Sequence, residues 1–212
     1  YKHEFDRALI AAEWVTTAAS GTPFAYAAAR GGGQFTGITQ AADNATLEIH
    51  QANVAHDSAD YPTLFLRWRS PADATGMAFE IGWSDAKTDE ALVVVSALTD
   101  VDAAVPTIAN GITDFGLFVL NTDLSLTTLA LIGDGTTGSV VGKRVPSLYA
   151  ITNSSIIDVI IGIGPNATHG QLYDDGQLVA DVAVTNGPDA ATLVRFSGLW
   201  KSLDAAAKSI DL

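Results

Sequence analysis

The chain contains no cysteine, which removes disulfides, thiolate metal sites and cysteine nucleophiles together. The redox compartment is left open by this. Positive charge is also scarce. Lys and Arg number 11 against 24 Asp and Glu, for a formal net charge of −13. Such a surface repels a phosphate backbone and an anionic lipid surface, so nucleic acid and membrane are excluded as partners. No apolar run reaches the roughly 18 residues that a bilayer-spanning helix needs. Glutamate is rare, confined to Glu4, Glu13, Glu48, Glu80 and Glu90. The first residue is Tyr1, with no charged-then-apolar leader pattern after it.

What remains is 212 residues that are 48% hydrophobic. That suffices for a packed core and argues against disorder. The dominant pattern is short runs of period two, broken by Gly, Asp, Asn and Pro. Strands are predicted at Thr46–His50, Thr63–Arg69, Met77–Trp83, Ala91–Ala97, Asp114–Asn121, Leu126–Ile132, Ile156–Ile163 and Thr192–Trp200, with one more beginning at Ser209. In the third of these, Met77, Phe79, Ile81 and Trp83 share one face, with Glu80 opposite. Asp175-Gly176 suits the primed two-residue turn of a hairpin over residues 171–180. Phe24–Arg30 and Leu203–Ser209 have helix-friendly composition but are too short to stand alone. Val101–Gly111 reads as an excursion. Many short strands with polar turns predict a single all-β domain over residues 1–212, an antiparallel two-sheet jelly-roll sandwich.

Chemistry is less well signposted. His3, His50, His56 and His169 show no metal-ligand spacing. Gly82-Trp-Ser84-Asp-Ala86 approaches the nucleophile elbow, but Ala86 replaces the last glycine and the following residues suit a turn. Gly133–Arg144 fails the phosphate-loop spacing and reads as a loop between strands. Acidic turns such as Asp57 with Asp60 and Asp85 with Asp89 are candidate Ca²⁺ ligands, though turns favour Asp for backbone reasons alone. No catalytic residue, cofactor or metal ligand is assigned. Glu80 is expected beside Arg67 or Arg69 on a neighbouring strand. Trp68 and Trp83 share faces with aliphatic residues and are expected in the core. Tyr61, Tyr173 and Asp174 lie in polar, turn-like contexts and are the candidates for a surface binding site.

Phe79–Ala86, Asp114–Phe118, Gln171–Ala180 and Ser209–Leu212 together resemble a concanavalin A-like (laminin G-like) jelly roll. The resemblance runs over most of the chain. Members usually continue past the last strand, which implies that the sequence is truncated. The Glu-x-Asp-x-x-Glu strand of the glycoside-hydrolase relatives has its nearest counterpart in Glu80-Ile-Gly82-Trp-Ser84-Asp85, which lacks the pattern. The nearest resemblance is to tailed-bacteriophage virion proteins. It implies a non-enzymatic particle component, a capsid decoration or head-fibre protein located on the virion. Its partners would be the major capsid protein or further copies of itself in a homo-oligomer. The Ala-rich segment Ala18–Gly33 would then be either a docking strip or an internal strand and loop. The alternative is a carbohydrate-binding or receptor-binding domain of a tail appendage, with a glycan as partner.

Overall fold

The structure, a computed structural model, describes residues 14–27, 34–52, 55–85, 113–123, 129–134, 139–144, 151–165, 169–174, 177–183 and 192–212. Two antiparallel sheets are formed. Sheet A runs β1 (Trp14–Thr17), β4 (Thr46–Gln51), β14 (Leu193–Ser202), β7 (Met77–Ser84), β8 (Asp114–Asn121), β9 (Leu129–Asp134) and β10 (Ser139–Arg144). The short β5 (His56–Asp57) pairs with the start of β14. Sheet B runs β13 (Gln177–Ala183), β12 (His169–Asp174), β11 (Ile156–Pro165), β6 (Thr63–Arg69), β15 (Ser209–Asp211), β3 (Gln34–Thr39) and β2 (Gly21–Ala27). This is the expected jelly-roll sandwich.

Alternation decides which side chains meet between the sheets. Leu47 and Ile49, Phe79 and Ile81, and Phe196 and Trp200 come from sheet A. They pack on Leu66, Trp68, Ile157, Ile163 and Ile210 of sheet B. Edge-on ring pairs stitch the layers together. Trp68 stands 5.3 Å from Phe79 and 5.8 Å from Trp200, and Phe24 stands 5.5 Å from Trp200. Such offset pairs add to the area buried because ring edges and faces carry opposite partial charge. On the outside of sheet B, Phe65, Arg67 and Arg69 are exposed.

Several expectations need correction. Glu80 does not pair with Arg67 or Arg69. It lies on β7 of sheet A, opposite Leu199 and Val119, whereas both arginines lie on β6 of sheet B. The chain crosses from sheet B to sheet A between β6 and β7, so nearness in sequence does not give pairing at this step. Phe24 falls in β2 rather than a helical turn, because burying its ring against Trp200 outweighs alanine's weak helix preference. The segment Gly133–Arg144, read as a loop, contributes β10, paired with β9 from Ser139↔Asp134 to Arg144↔Leu129. Residues 203–208 form bends, as expected. Asp204 Oδ1 accepts the Ala206 N–H at 2.9 Å, a local turn that competes with helix. Lys208, 1% exposed, locks those bends by donating to Thr75 O and pairing with Asp204 Oδ2. Asp174 pairs with Gln177, as the expected hairpin over residues 171–180 requires, and Asp175-Gly176 lies outside the described residues. Ala91–Ala97 and Val101–Gly111 lie outside the described residues.

Candidate functional site

Every second residue of sheet A points away from the core. On β4 these are Thr46, Glu48 and His50; on β14, Ser197, Leu199 and Lys201; on β7, Ala78, Glu80, Gly82 and Ser84. The register sets them in rows. Glu48, Leu199, Glu80 and Val119 stand side by side, and the next row holds His50, Ser197, Gly82 and Leu117. Glu48 and Glu80 therefore flank Leu199, two strand spacings or about 10 Å apart at the backbone. The β8 end of this face is apolar, with Phe115, Leu117 and Val119. The β4, β14 and β7 end is polar.

This polar half is closed to solvent: Glu48, Glu80 and Ser84 are each 0% exposed. Glu48 Oε1 lies 3.1 Å from His50 Nδ1. The hydroxyls of Thr17, Thr46, Ser84 and Ser197 are buried and find no hydrogen-bond partner among the described residues. A hydroxyl left so costs about 1–3 kcal/mol. Orphans of this kind are rare in a folded interior and call for an explanation. Here they gather on one side of one sheet.

A second feature opens at the rim, where the ends of both sheets meet. It is a cleft of about 450 Å³, walled by Trp14, Gln51 and Trp83 and bordered by His56, Asp57, Asp60 and Tyr61. The 3-10 turn Ser58–Asp60 follows Asp57, whose side chain accepts the Ala59 N–H. Tyr61 ends that turn with φ 52° and ψ 56° and is 42% exposed. The backbone dictates the hydrogen-bond sense inside. Phe196 N–H donates to Gln51 Oε1 at 3.0 Å, so the Gln51 amide nitrogen faces His56 Nε2 at 3.2 Å. An NH₂ group can only donate, so His56 Nε2 accepts and the neutral ring carries its proton on Nδ1.

Burial, the largest cause, also holds the His56 pKa below its ordinary 6.5. Asp57 and Asp60 are the charged groups that share the cleft with it. The sign of the pH effect follows. Below 6.5 the unfolded chain binds a proton that the folded chain resists, so stability falls as pH drops from 6.5 through the lowered folded value. Above 6.5 the contribution is constant. Thermal melts of wild type and His56→Gln between pH 7.5 and 5 are expected to diverge over that window, with the wild type losing more. Parallel curves would contradict the lowered pKa of His56.

The structure brings the sequence candidates only partly together. Tyr61 lines the rim cleft. Tyr173 pairs with Gly162, which pairs with Thr63, so its backbone lies two strands from the Tyr61 turn at the same end of sheet B. Asp174 pairs with Ile161 and Gln177. The carboxylates beside Tyr61 are Asp57 and Asp60, which the sequence marked as an acidic turn and candidate Ca²⁺ ligands but not as part of a surface binding site with Tyr61. Among the described residues no group of three His, Asp or Glu gathers as for a metal ion. Sequence reasoning missed the polar face of sheet A. The alternation in Thr46–Gln51 carried a signal, but nothing in the sequence places β4 beside β14 and β14 beside β7.

Two facing sheets in this order, one with a polar outer face, define a concanavalin A-like jelly roll. No protein-family model matches the sequence, and no curated protein is similar to it. Solved structures are similar at the level of fold. The laminarinase catalytic domain from Thermotoga maritima superposes with a TM-score of 0.60 at 8% identity, over 99% of this chain and 92% of that one. Bacillus licheniformis β-glucanase gives 0.57 at 11%, over 98% and 92%. The Emp46p carbohydrate recognition domain in its potassium-bound form gives 0.51 at 13%, over 94% and 85%. These findings overturn the expected non-enzymatic virion protein. The similar structures are glucan-cleaving domains and a carbohydrate recognition domain, and the phage resemblance has no support among them. The segments that suggested it are β7, β8, the β12–β13 hairpin and β15. They are framework strands of the sandwich and carry no mark of a particle.

Proposed function

We propose that this chain is a carbohydrate-active domain that engages a neutral polysaccharide along the polar half of sheet A's outer face. One observation carries the reading: two carboxylates, an imidazole and four hydroxyls without a partner among the described residues share that single face. Sugar hydroxyls both donate and accept, so they satisfy such a set. The net charge of −13 selects against anionic polysaccharides. Similarity to β-glucan-cleaving catalytic domains favours a β-glucan among neutral glycans.

A second reading, cleavage of the bound chain, is favoured by Glu48 and Glu80 flanking Leu199. Inverting hydrolysis sets its acid and base roughly 6.5–9.5 Å apart with a water between them, and carboxylates on alternate strands can span that range. The test incubates the chain with laminarin and mixed-linkage β-glucan, measuring retention on the insoluble polymer and release of reducing ends. Glu80→Gln is expected to retain the polymer and to lower release at least about 100-fold, the usual scale for removing a general acid or base. Retention without release by the wild type would leave a binding domain. Failure to retain any neutral glucan would overturn the proposal.

A further inference from the structure

We propose that the rim cleft is a second saccharide site, separate from sheet A's outer face, that takes the end of a neutral oligosaccharide. Trp83 faces the core and the cleft, while Gly82 and Ser84 on either side of it face the other way. The two features therefore lie on opposite sides of β7. The cleft, at about 450 Å³, falls within the usual range for small-ligand sites and has room for a short sugar segment.

Its chemistry narrows the ligand. Among the described residues no Lys or Arg lines it, while Asp57 and Asp60 do, so anions are disfavoured. Trp14 and Trp83 are 4% and 2% exposed and offer edges as walls, not open faces for caging an organic cation. Among the described aromatic lining residues Tyr61 is the exposed one, at 42% against 4% for Trp14 and 2% for Trp83. It is held outward by an unusual backbone. A non-glycine residue in the left-handed region costs about 1 kcal/mol or more, and strain of this kind clusters at ligand sites. The Tyr61 N–H donates to Ser58 O, and the Thr63 hydroxyl donates to Tyr61 O, each at 3.1 Å, which fixes the turn. One stacking ring beside two carboxylate acceptors and a neutral imidazole suits a sugar ring, which stacks through its C–H face and donates from its hydroxyls.

The ligand class rests on the glycan reading above, whereas the site itself does not. The test is calorimetric titration with laminaritriose and cellotriose. Tyr61→Gly removes the ring while relieving the positive φ, so the variant is expected to melt at or slightly above the wild-type temperature. Its affinity for the trisaccharide is expected to fall at least tenfold, with retention on insoluble glucan unchanged. Equal affinity in Tyr61→Gly overturns the inference, as does loss in Glu80→Gln instead. Retention of long glucan with no trisaccharide binding by the wild type also overturns it and leaves the sheet A reading standing. Trisaccharide binding that needs Tyr61, in a chain that retains no polymer, upholds the rim site and sinks the sheet A reading.

Discussion

Gly82→Asp, the substitution that would restore a Glu-x-Asp spacing after Glu80, is expected to unfold the domain. Gly82 sits at φ +156°, and a Cβ there would lie 2.2 Å from Gly116 O and 2.9 Å from the Leu117 Cα. Both atoms are backbone of the adjacent β8, held by the register that pairs Trp83 with Gly116. Neither can rotate away, so the strands would have to part. The carboxylate would also enter a face where Ser197 and Leu117 are already buried. Overpacking and backbone strain each cost about 1–3 kcal/mol, and burying a charge adds to them. The sum, about 4 kcal/mol or more, is a large part of the roughly 5–15 kcal/mol that holds a domain folded. Urea denaturation checks it, with Gly82→Ala as the milder variant. A cooperative transition at the wild-type midpoint in Gly82→Asp would refute the packing described here. The same geometry bears on chemistry. An acid cannot stand two residues after Glu80 on β7, so under the cleavage reading proposed above a second carboxylate would come from another strand, such as Glu48 on β4.

Trp200→Ala is expected to cost about 3–5 kcal/mol, the range for deleting a large buried aromatic. Trp200 is fully buried and meets Phe24 and Trp68 of sheet B edge-on. Its ring also covers Gly198, where a Cβ would lie 2.9 Å from it. Removing it opens a void where the sheets are pinned together. For a chain of this length that corresponds to a fall in Tm of about 6–20 °C. Trp200→Phe keeps part of the contact and should lose less. A Tm change under about 2 °C for the alanine variant would show that the void collapses and the pinning is weak.

Much of the sandwich was legible because a half-buried strand writes its two faces into alternate residues. Met77, Phe79, Ile81 and Trp83 read as one face and are one face of β7; Leu66 and Trp68 did the same for β6. What alternation cannot carry is the identity of neighbours. Glu80 was assigned to Arg67 or Arg69 because their strands are consecutive, yet the chain changes sheet between β6 and β7. β1, β2, β3 and β10 were missed, two of them for plain local reasons: the alanines around Phe24 in β2 dilute the strand signal, and Gly133, Gly135, Gly138 and Gly142 around β10 read as loop. The site divided in the same way. Tyr61 was visible as an aromatic in a polar turn. The Glu48–Leu199–Glu80 row was invisible, because its members come from three segments far apart in the chain.

The placement of β14 and β15 has a consequence for how the molecule is made. β14 sits between β4 and β7, and β15 between β3 and β6, so each sheet receives an interior strand from residues 193–211. Until those residues leave the ribosome, both sheets have a gap with unpaired edges, and no two-sheet core can close around Trp200. Such non-local closure is slow, and open edges recruit other chains. Synthesis of this chain is thus expected to leave a long-lived, chaperone-dependent nascent state that becomes protease-resistant only in a late, single step.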